Sequence, residues 1–488
     1  MAGMGGVAAI GGTGSPLGGS GGAPNGGGPD AAGGAGGSAP IVEPRLVTSG
    51  PGAFWQMAAW TETSGAAADV TVSDALTAQT FDGFGGTFNE KGWSVLSLLS
   101  PSERDRALRL LFDARDGARL LYGRIPIGAS DYALSAYTDN ETAGDLTMQS
   151  FSIARDRENL IPYVKAALAI NPGLHLWGTP WTPPTWMKDN GAMNGGNMQD
   201  DPELLQALAL YIAKWVQAYA AEGIKIEVIH HQNEPGYTTN YPSCLWTAPL
   251  FAKFIGTYLG PTFTSQNVSA QIYAGTMSNA DAGKDGTILS AVTGDAAAMM
   301  YVKGFGLQWN MMSSVAGLKA RNLPIVQTEH KCGNYPWNPD GFPAFNPDQA
   351  ANDYAYGVES WGYIRDWIAA GTTQYSAWNM VLDTAGKNLD SVRAWPQNAL
   401  MTVDTNAKTL TVTPAYYVFR HVSQYVDPGA KVVGTTGGDA LAFKNPDGSL
   451  VAIVHNTASA AKNMTVAIGG KHLQFLVPGG GFATVNPQ

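Results

Sequence analysis

The chain has 488 residues, 44% of them hydrophobic and 14% charged, and a formal net charge of -10. An acidic balance of this size excludes unspecific adhesion to nucleic acid or anionic lipid, and no apolar run approaches the roughly 20 residues of a stable membrane insertion. The length exceeds one ordinary domain but suits a barrel with something smaller attached, and two cysteines, Cys244 and Cys332, exclude a disulfide-rich scaffold.

Residues 1–42 are almost wholly Gly, Ala, Ser and Pro, with 17 glycines in the first 40 positions and Asp30 as the sole charge. So little apolar surface builds no core, and the segment reads as a flexible tether. It shows neither a basic stretch followed by an apolar one nor a lipidation cysteine. A secretion or lipoprotein signal is therefore expected upstream, with the protein secreted or at the cell surface. Residues 43–78 hold short strand-like runs in which Phe54, Trp55 and Trp60 are packing residues.

From 79 to 404, short apolar runs alternate with helical patterns. Strands are predicted at 79–86, 121–127, 174–179, 224–231, 269–276, 304–309, 324–329 and 373–379, which is the pattern of an α/β fold, the (β/α)8 or TIM barrel. After the third strand, Asp201 can cap a helix, Pro202 suits its first turn and Gly223 can end it. Leu205, Leu208, Ile212, Trp215 and Tyr219 give that helix one buried stripe, so its aromatics are core. After about residue 405 the helical period disappears. Alternating runs such as 431–433, 440–443, 451–454 and 464–468, parted by Gly, Asn, Asp and Pro, predict a β-sandwich over 405–488.

Two acids stand where such barrels keep their chemistry. The fourth predicted strand buries Ile224, Ile226 and Val228 and stops at Gln232-Asn233-Glu234-Pro235, and the seventh ends at Glu329. A lone glutamate after a strand is more often a cap or a salt-bridge partner than a catalyst. Two of them on strands 4 and 7 of one barrel can face each other across its mouth, which is the equipment for breaking a glycosidic bond. Carboxyls about 5–5.5 Å apart would go with retention of configuration, and a separation near ~9 Å with inversion. Asn233 suits a sugar hydroxyl, and Pro235 restricts the backbone beside Glu234. His230, His231, His330 and Cys332 permit a zinc reading, but no closely spaced ligand pair supports it, and no metal or organic cofactor is expected. Cys244 and Cys332 each follow one of the acids. A bond between them across the mouth is one arrangement, and two buried free thiols the commoner one.

Six segments in order carry a resemblance. They are Phe81-Asp82-Gly83-Phe84-Gly85-Gly86-Thr87-Phe88, Arg124 to Tyr132, Thr179 to Lys188, Gln232 to Pro235, Thr328-Glu329 and Trp378-Asn379. With these the chain resembles glycoside hydrolase family 30, the family of glucosylceramidases, β-1,6-glucanases and certain xylanases. The resemblance implies a retaining enzyme with Glu329 as nucleophile and Glu234 as acid/base. It implies that Asn233 holds the sugar 2-hydroxyl, that Asp131, Trp181, Trp378 and Trp309 form the first subsite, and that Arg124 supports the charge of the nucleophile. It also implies that the strands of 43–78 join the C-terminal set in one discontinuous side domain. Gln308-Trp309-Asn310 departs from the His-Trp-Tyr of many members, so a tyrosine that would hydrogen-bond the nucleophile is missing from its usual place.

The substrate so implied is a β-glucoside, either β-1,6-glucan or a glycolipid resembling glucosylceramide. Xylanase, β-galactanase and β-fucosidase are the alternatives within the family. A transglycosylase would use the same residues, and a silent carbohydrate-binding protein would have no need of both acids. The oligomeric state is left open.

Overall fold

The computed structural model describes residues 46–330, 353–390 and 397–487. The tether 1–42 and Cys332 lie outside the described residues. Eight parallel strands close a barrel in chain order: Gly83–Thr87, Tyr122–Ile127, His175–Pro180, Ile226–His230, Gln271–Met277, Val302–Gln308, Ile325–His330 and Gln374–Asn379, numbered 1 to 8. All eight predicted strands form, and the first is displaced. Residues 79–81 end a longer strand, Val70–Phe81, which runs antiparallel to Ala430–Gly437 with Phe81 opposite Ala430. Asp82 separates the two strands, and Gly83 opens the second at φ 139°, a conformation that a side chain disfavours. Strand 1 is glycine-rich for a further reason. A Cβ at Gly85 would come within 2.5 Å of the Tyr122 carbonyl oxygen, and one at Gly86 within 2.4 Å of Met380 Cγ, so its neighbours pack closer than a methyl allows. In strand 4 the buried aliphatic pair is Ile226 and Ile229. Val228 is only half-buried because it borders a small cavity lined also by Tyr122, Trp177 and Gln327.

The helix Pro202–Ala221 starts and stops where its sequence says. Asp201 Oδ1 accepts from the N–H groups of Glu203 and Leu204 at 2.8 and 3.2 Å, and the chain leaves at Gly223 with φ 80°. The predicted stripe is buried. Its aromatic members also carry polar tips inward. Tyr219 and Trp215 donate to Asp156 at 2.8 and 3.4 Å, and Tyr137 donates to the same carboxyl at 2.7 Å. Tyr211 Oη donates to Asp139 at 3.3 Å. The helix is thereby docked on the long loop 128–159 that follows strand 2.

Four N-terminal strands, Leu46–Gly50, Ala53–Met57, Thr61–Glu62 and Val70–Phe81, join six C-terminal ones in a ten-stranded sheet. It encloses a core of its own that includes Leu46, Val70, Val466, Leu473 and Val485. Two parts of 405–488 stand apart from this side domain. Thr409–Val412 pairs with Met401–Asp404, which pairs in turn with Val381–Asp383, a small sheet just after strand 8. Pro414–Ser423 is a helix where the sequence predicts none. It is wedged between barrel and side sheet. Phe419 packs on Phe84 and Tyr375 at ring distances of 6.0 and 5.8 Å, and His421 meets Thr484 Oγ1 and Ser49 Oγ at 2.8 and 2.7 Å. Nearly every position is buried, Arg420, His421 and Ser423 included, so its polar residues meet other protein and mark no solvent face.

A second joint runs from the helix Tyr354–Ala370. Trp361 Nε1 and Arg365 Nη1 donate to Asp439 at 3.0 and 2.7 Å, and His455 Nδ1 lies 2.9 Å from the same carboxyl. Burial acts to raise the Asp439 carboxyl, but these hydrogen bonds hold it down to about 2. Among the described residues no helix is long and apolar enough to cross a membrane.

Candidate active site

Arg124 on strand 2 is the hub of the barrel mouth. It is fully buried, and its guanidinium donates to Glu329 Oε2, to Asn233 Oδ1 at 2.6 Å and to Thr276 Oγ1 at 3.4 Å. The same group lies 4.3 Å from the ring centre of Trp181 and 5.4 Å from that of Trp378, close enough for cation–π attraction. Strand 7 delivers Glu329 to it. The second oxygen of Glu329 accepts from Trp309 Nε1 at 3.2 Å. Burial raises the Glu329 carboxyl, and the Arg124 charge and hydrogen bond, with the Trp309 bond, oppose that rise.

Glu234 is held differently. The backbone after strand 4 is pinned on both sides: Asn233 N–H donates to Pro180 O at 2.8 Å and Glu234 N–H to Thr276 O at 2.9 Å. Gln232 adds a cross-link, donating through Nε2 to Trp181 O at 2.7 Å and accepting from Trp246 Nε1 at 3.2 Å. Held so, Glu234 adopts φ 44°, a left-handed conformation that costs a residue other than glycine roughly 1–3 kcal/mol. Its Oε1 accepts from Gln308 Nε2 at 3.1 Å, and Thr328 Oγ1 in turn donates to Gln308 Oε1 at 3.1 Å. Among the described residues no cation pairs with Glu234. Burial first, then the charges of Glu329 and Asp285, push its carboxyl up to about 8 against the pull of the Gln308 bond. The two acids are thus electrically unlike, the arrangement by which paired carboxyls take separate tasks.

The other predicted residues gather around this pair. Thr276 Oγ1 and Arg124 both donate to Asn233 Oδ1, Thr276 at 2.9 Å, which leaves the amide nitrogen as the group available to a hydroxyl. Trp181 and Trp378 stack at 5.5 Å with their planes 21° apart, and Tyr132 stands edge-on to Trp378 at 5.9 Å. Burial and the charge of Glu329 push the Asp131 carboxyl up to about 8. Trp309 is half-buried at φ 47°, with its indole on Glu329. A donor to Glu329 is therefore supplied by the middle residue of Gln308-Trp309-Asn310, while the Asn310 side chain is exposed and its N–H meets Ser278 O at 3.0 Å. His231 packs on Phe251 at 4.0 Å as a core residue, and burial holds both His230 and His231 down to about 3, hence uncharged. Cys244 is a buried free thiol.

Sequence reasoning registered Gln308 only as a departure and missed its bond to Glu234. It also missed Glu90, which is 2% exposed, takes two hydrogen bonds from Arg155 at 3.1 and 3.0 Å and one from Leu134 N–H at 2.8 Å, and so braces the loop carrying Asp131. The weak signal for Glu90 was an acid directly after strand 1, beside the helix cap Asn89.

Known proteins are similar to this chain over most of its length. Over 417 residues it is 26% identical to the lysosomal acid glucosylceramidase of Mus musculus, covering 80% of this chain and 77% of that one. Over 397 residues it is 26% identical to an endo-1,6-beta-D-glucanase of Neurospora crassa, covering 78% and 79%. The solved endo-beta1,6-glucanase BT3312 superposes with a TM-score of 0.78 at 27% identity, over 90% of this chain and 98% of that chain. The family models agree with the division seen in the structure: the glycosyl hydrolase family 30 TIM-barrel domain matches residues 81–426, and the family 30 beta sandwich domain matches 429–485. The barrel match includes the helix Pro414–Ser423 and ends just ahead of the C-terminal sheet strands, and on these two matches the chain belongs to glycosyl hydrolase family 30.

Proposed function

We propose that the protein hydrolyses a β-glucosidic bond with retention of configuration, with Glu329 as nucleophile and Glu234 as general acid and base. The observation that carries this assignment is the unequal setting of the two carboxyls. Glu329 is paired with a buried guanidinium, whereas Glu234 has only a neutral amide and feels the negative charge of its neighbour. Glu329 attacks the anomeric carbon while Glu234 protonates the leaving oxygen. Glu234 then removes a proton from the water that displaces the sugar from Glu329. Asn233 donates an N–H to the 2-hydroxyl, and Asp131, Trp181 and Trp378 hold the rest of the ring, with Trp309 bordering the sugar as it orients Glu329.

The substrate proposed is β-1,6-glucan or a glucosylceramide-like glycolipid, in keeping with relatives that bear both names. A polymeric or lipid-linked substrate goes with a protein secreted or held at the cell surface.

Glu329→Gln should abolish turnover on every substrate. Glu234→Ala should lose roughly 10²–10⁴ in rate on natural linkages yet keep activity on aryl glycosides whose leaving groups need little protonation, and azide should rescue it as the β-glycosyl azide. Wild-type rates from Glu329→Gln would remove the nucleophile assignment. In a side-by-side assay, aryl β-glucoside or β-1,6-glucan should be cleaved at least about tenfold better by kcat/KM than aryl β-xyloside or xylan, because a site built around a hydroxyl strongly rejects sugars lacking it. Preference for xylan or for a galactoside would overturn the glucosidase reading and leave the two-glutamate chemistry standing.

A further inference from the structure

Asp285 opens the helix Asp285–Gly294 behind strand 5 and is fully buried, and among the described residues no cation pairs with it. Four donors converge on its carboxyl instead. Oδ1 accepts from Gly236 N–H at 2.6 Å, and Oδ2 accepts from Ser278 N–H at 2.7 Å, Ser278 Oγ at 3.1 Å and Asn279 N–H at 3.1 Å. All four bonds run into the carboxyl. A protonated acid needs an acceptor for its own O–H, whereas the ionised form only accepts, so the pattern is that of a carboxylate. The first turn of a helix favours the negative form as well. Burial raises the carboxyl, and these hydrogen bonds oppose the rise.

The backbone behind the acid/base sets where this charge stands. Gly236 is two residues beyond Glu234, and Ser278 is two beyond Thr276, whose carbonyl takes the Glu234 N–H. A Cβ at Gly236 would come within 2.6 Å of Asp285 Oδ1, so the chain after Glu234 passes this close only as glycine. Ser278 O in turn accepts from Asn310 N–H at 3.0 Å, and one carboxyl thereby ties together the loops after strands 4, 5 and 6.

With successive Cα atoms about 3.8 Å apart, the bond to Gly236 keeps Asp285 Oδ1 within roughly 9 Å of the Glu234 Cα. At such a range, in an interior of effective dielectric constant about 20, a unit charge moves a neighbouring carboxyl by the order of one pH unit. The other charged groups that face Glu234 are Glu329 and Asp131, which act in the same sense, and Arg124, which acts against it. Lys284 and Asp281, beside Asp285 in the chain, are exposed.

We infer that Asp285 is a positioning residue for the acid/base, fixing the turn behind Glu234 and supplying a standing negative charge that keeps the catalytic proton on it. The inference rests on the proposed role of Glu234 and adds the group that sets the working range of that acid.

The test is the pH profile of kcat/KM for wild type, Asp285→Asn, Asp285→Ser and Glu234→Ala, with melting temperature measured alongside. The substrate is the aryl β-glycoside of the sugar that wild type cleaves fastest, with unsubstituted phenol as the leaving group, so that protonation is required. The alkaline limb of kcat/KM reports the acid of the free enzyme, about 8 for Glu234. Loss of a negative charge makes Glu234 easier to ionise, so Asp285→Asn should move the limb down by about one pH unit. Asp285→Ser leaves room for water to meet the same donors, should move the limb in the same direction, and decides the matter if Asp285→Asn does not fold. A slower enzyme with an unmoved limb would make Asp285 a structural tie and overturn the inference, as would a limb that moves up or the failure of both variants to fold. Glu234→Ala separates this inference from the reading beneath it. If it keeps the wild-type limb, the acid/base assignment falls and the inference falls with it. If it loses the limb while the Asp285 variants leave it in place, the inference alone is removed.

Discussion

In the proposed mechanism, the Gln308 bond sets which oxygen of Glu234 carries the catalytic proton. Its Nε2–H occupies Oε1, so the proton passed to the leaving group resides on Oε2. Because this bond favours the ionised acid, its removal raises the pKa of Glu234. Gln308→Leu should therefore shift the alkaline limb of kcat/KM upward from about 8 and slow turnover roughly tenfold to a hundredfold. A slower enzyme with an unmoved limb would reduce Gln308 to a packing residue. Glu234 and Glu329 were legible in the sequence because each ends a short apolar run beside further polar residues. The Gln308 contact was not, because it depends on register. The pairing of strands 6 and 7 slips between Leu307 and Gln308, setting Gln308 opposite Glu329 rather than Thr328, and no periodicity announces such an irregularity.

Among the elements, the helix Pro202–Ala221 shows how far a pattern reaches. Its cap, its first-turn proline and its buried stripe were all readable, since each is a local choice made within a few residues. Its partners on the loop 128–159 were not, because Asp139 and Asp156 are brought to it only by tertiary packing. The helix Pro414–Ser423 was invisible for the opposite reason, since it is covered by the barrel on one side and the side sheet on the other. Burial raises both aspartates, Asp156 to about 6 from an ordinary value of 3.8, so the folded protein holds a proton that the unfolded chain gives up earlier. That contribution to stability is complete below about 3.8 and is lost as pH rises through about 6. Asp139→Asn, which mimics the protonated form, should gain in Tm relative to wild type between pH 4 and pH 7 by calorimetry. A constant difference across that range would contradict the account of a proton retained on folding.

For the whole molecule, barrel and side sheet are joined by buried polar contacts as well as by apolar packing. Asp439 alone receives Trp361, Arg365 and His455. Asp439→Ala should cost about 2–3 kcal/mol, less than a fully buried pair because the carboxyl retains some exposure, and should lower Tm by several degrees. None of these groups touches Arg124, Glu234 or Glu329, so kcat/KM at 25 °C should stay within about twofold, and a large kinetic loss would show that the side sheet also shapes the mouth. The side sheet also takes its strands from both ends of the chain. Leu46 lies opposite Val485, and Phe81 opposite Ala430. During synthesis the strands of 46–81 must therefore wait, with Val47, Val70 and Phe81 uncovered, until the strands of 430–485 have left the ribosome. The barrel can begin to assemble before then, but the side sheet cannot, and a message broken anywhere upstream of the final strands yields a chain with sticky, unmatched edges for chaperones and proteases to find.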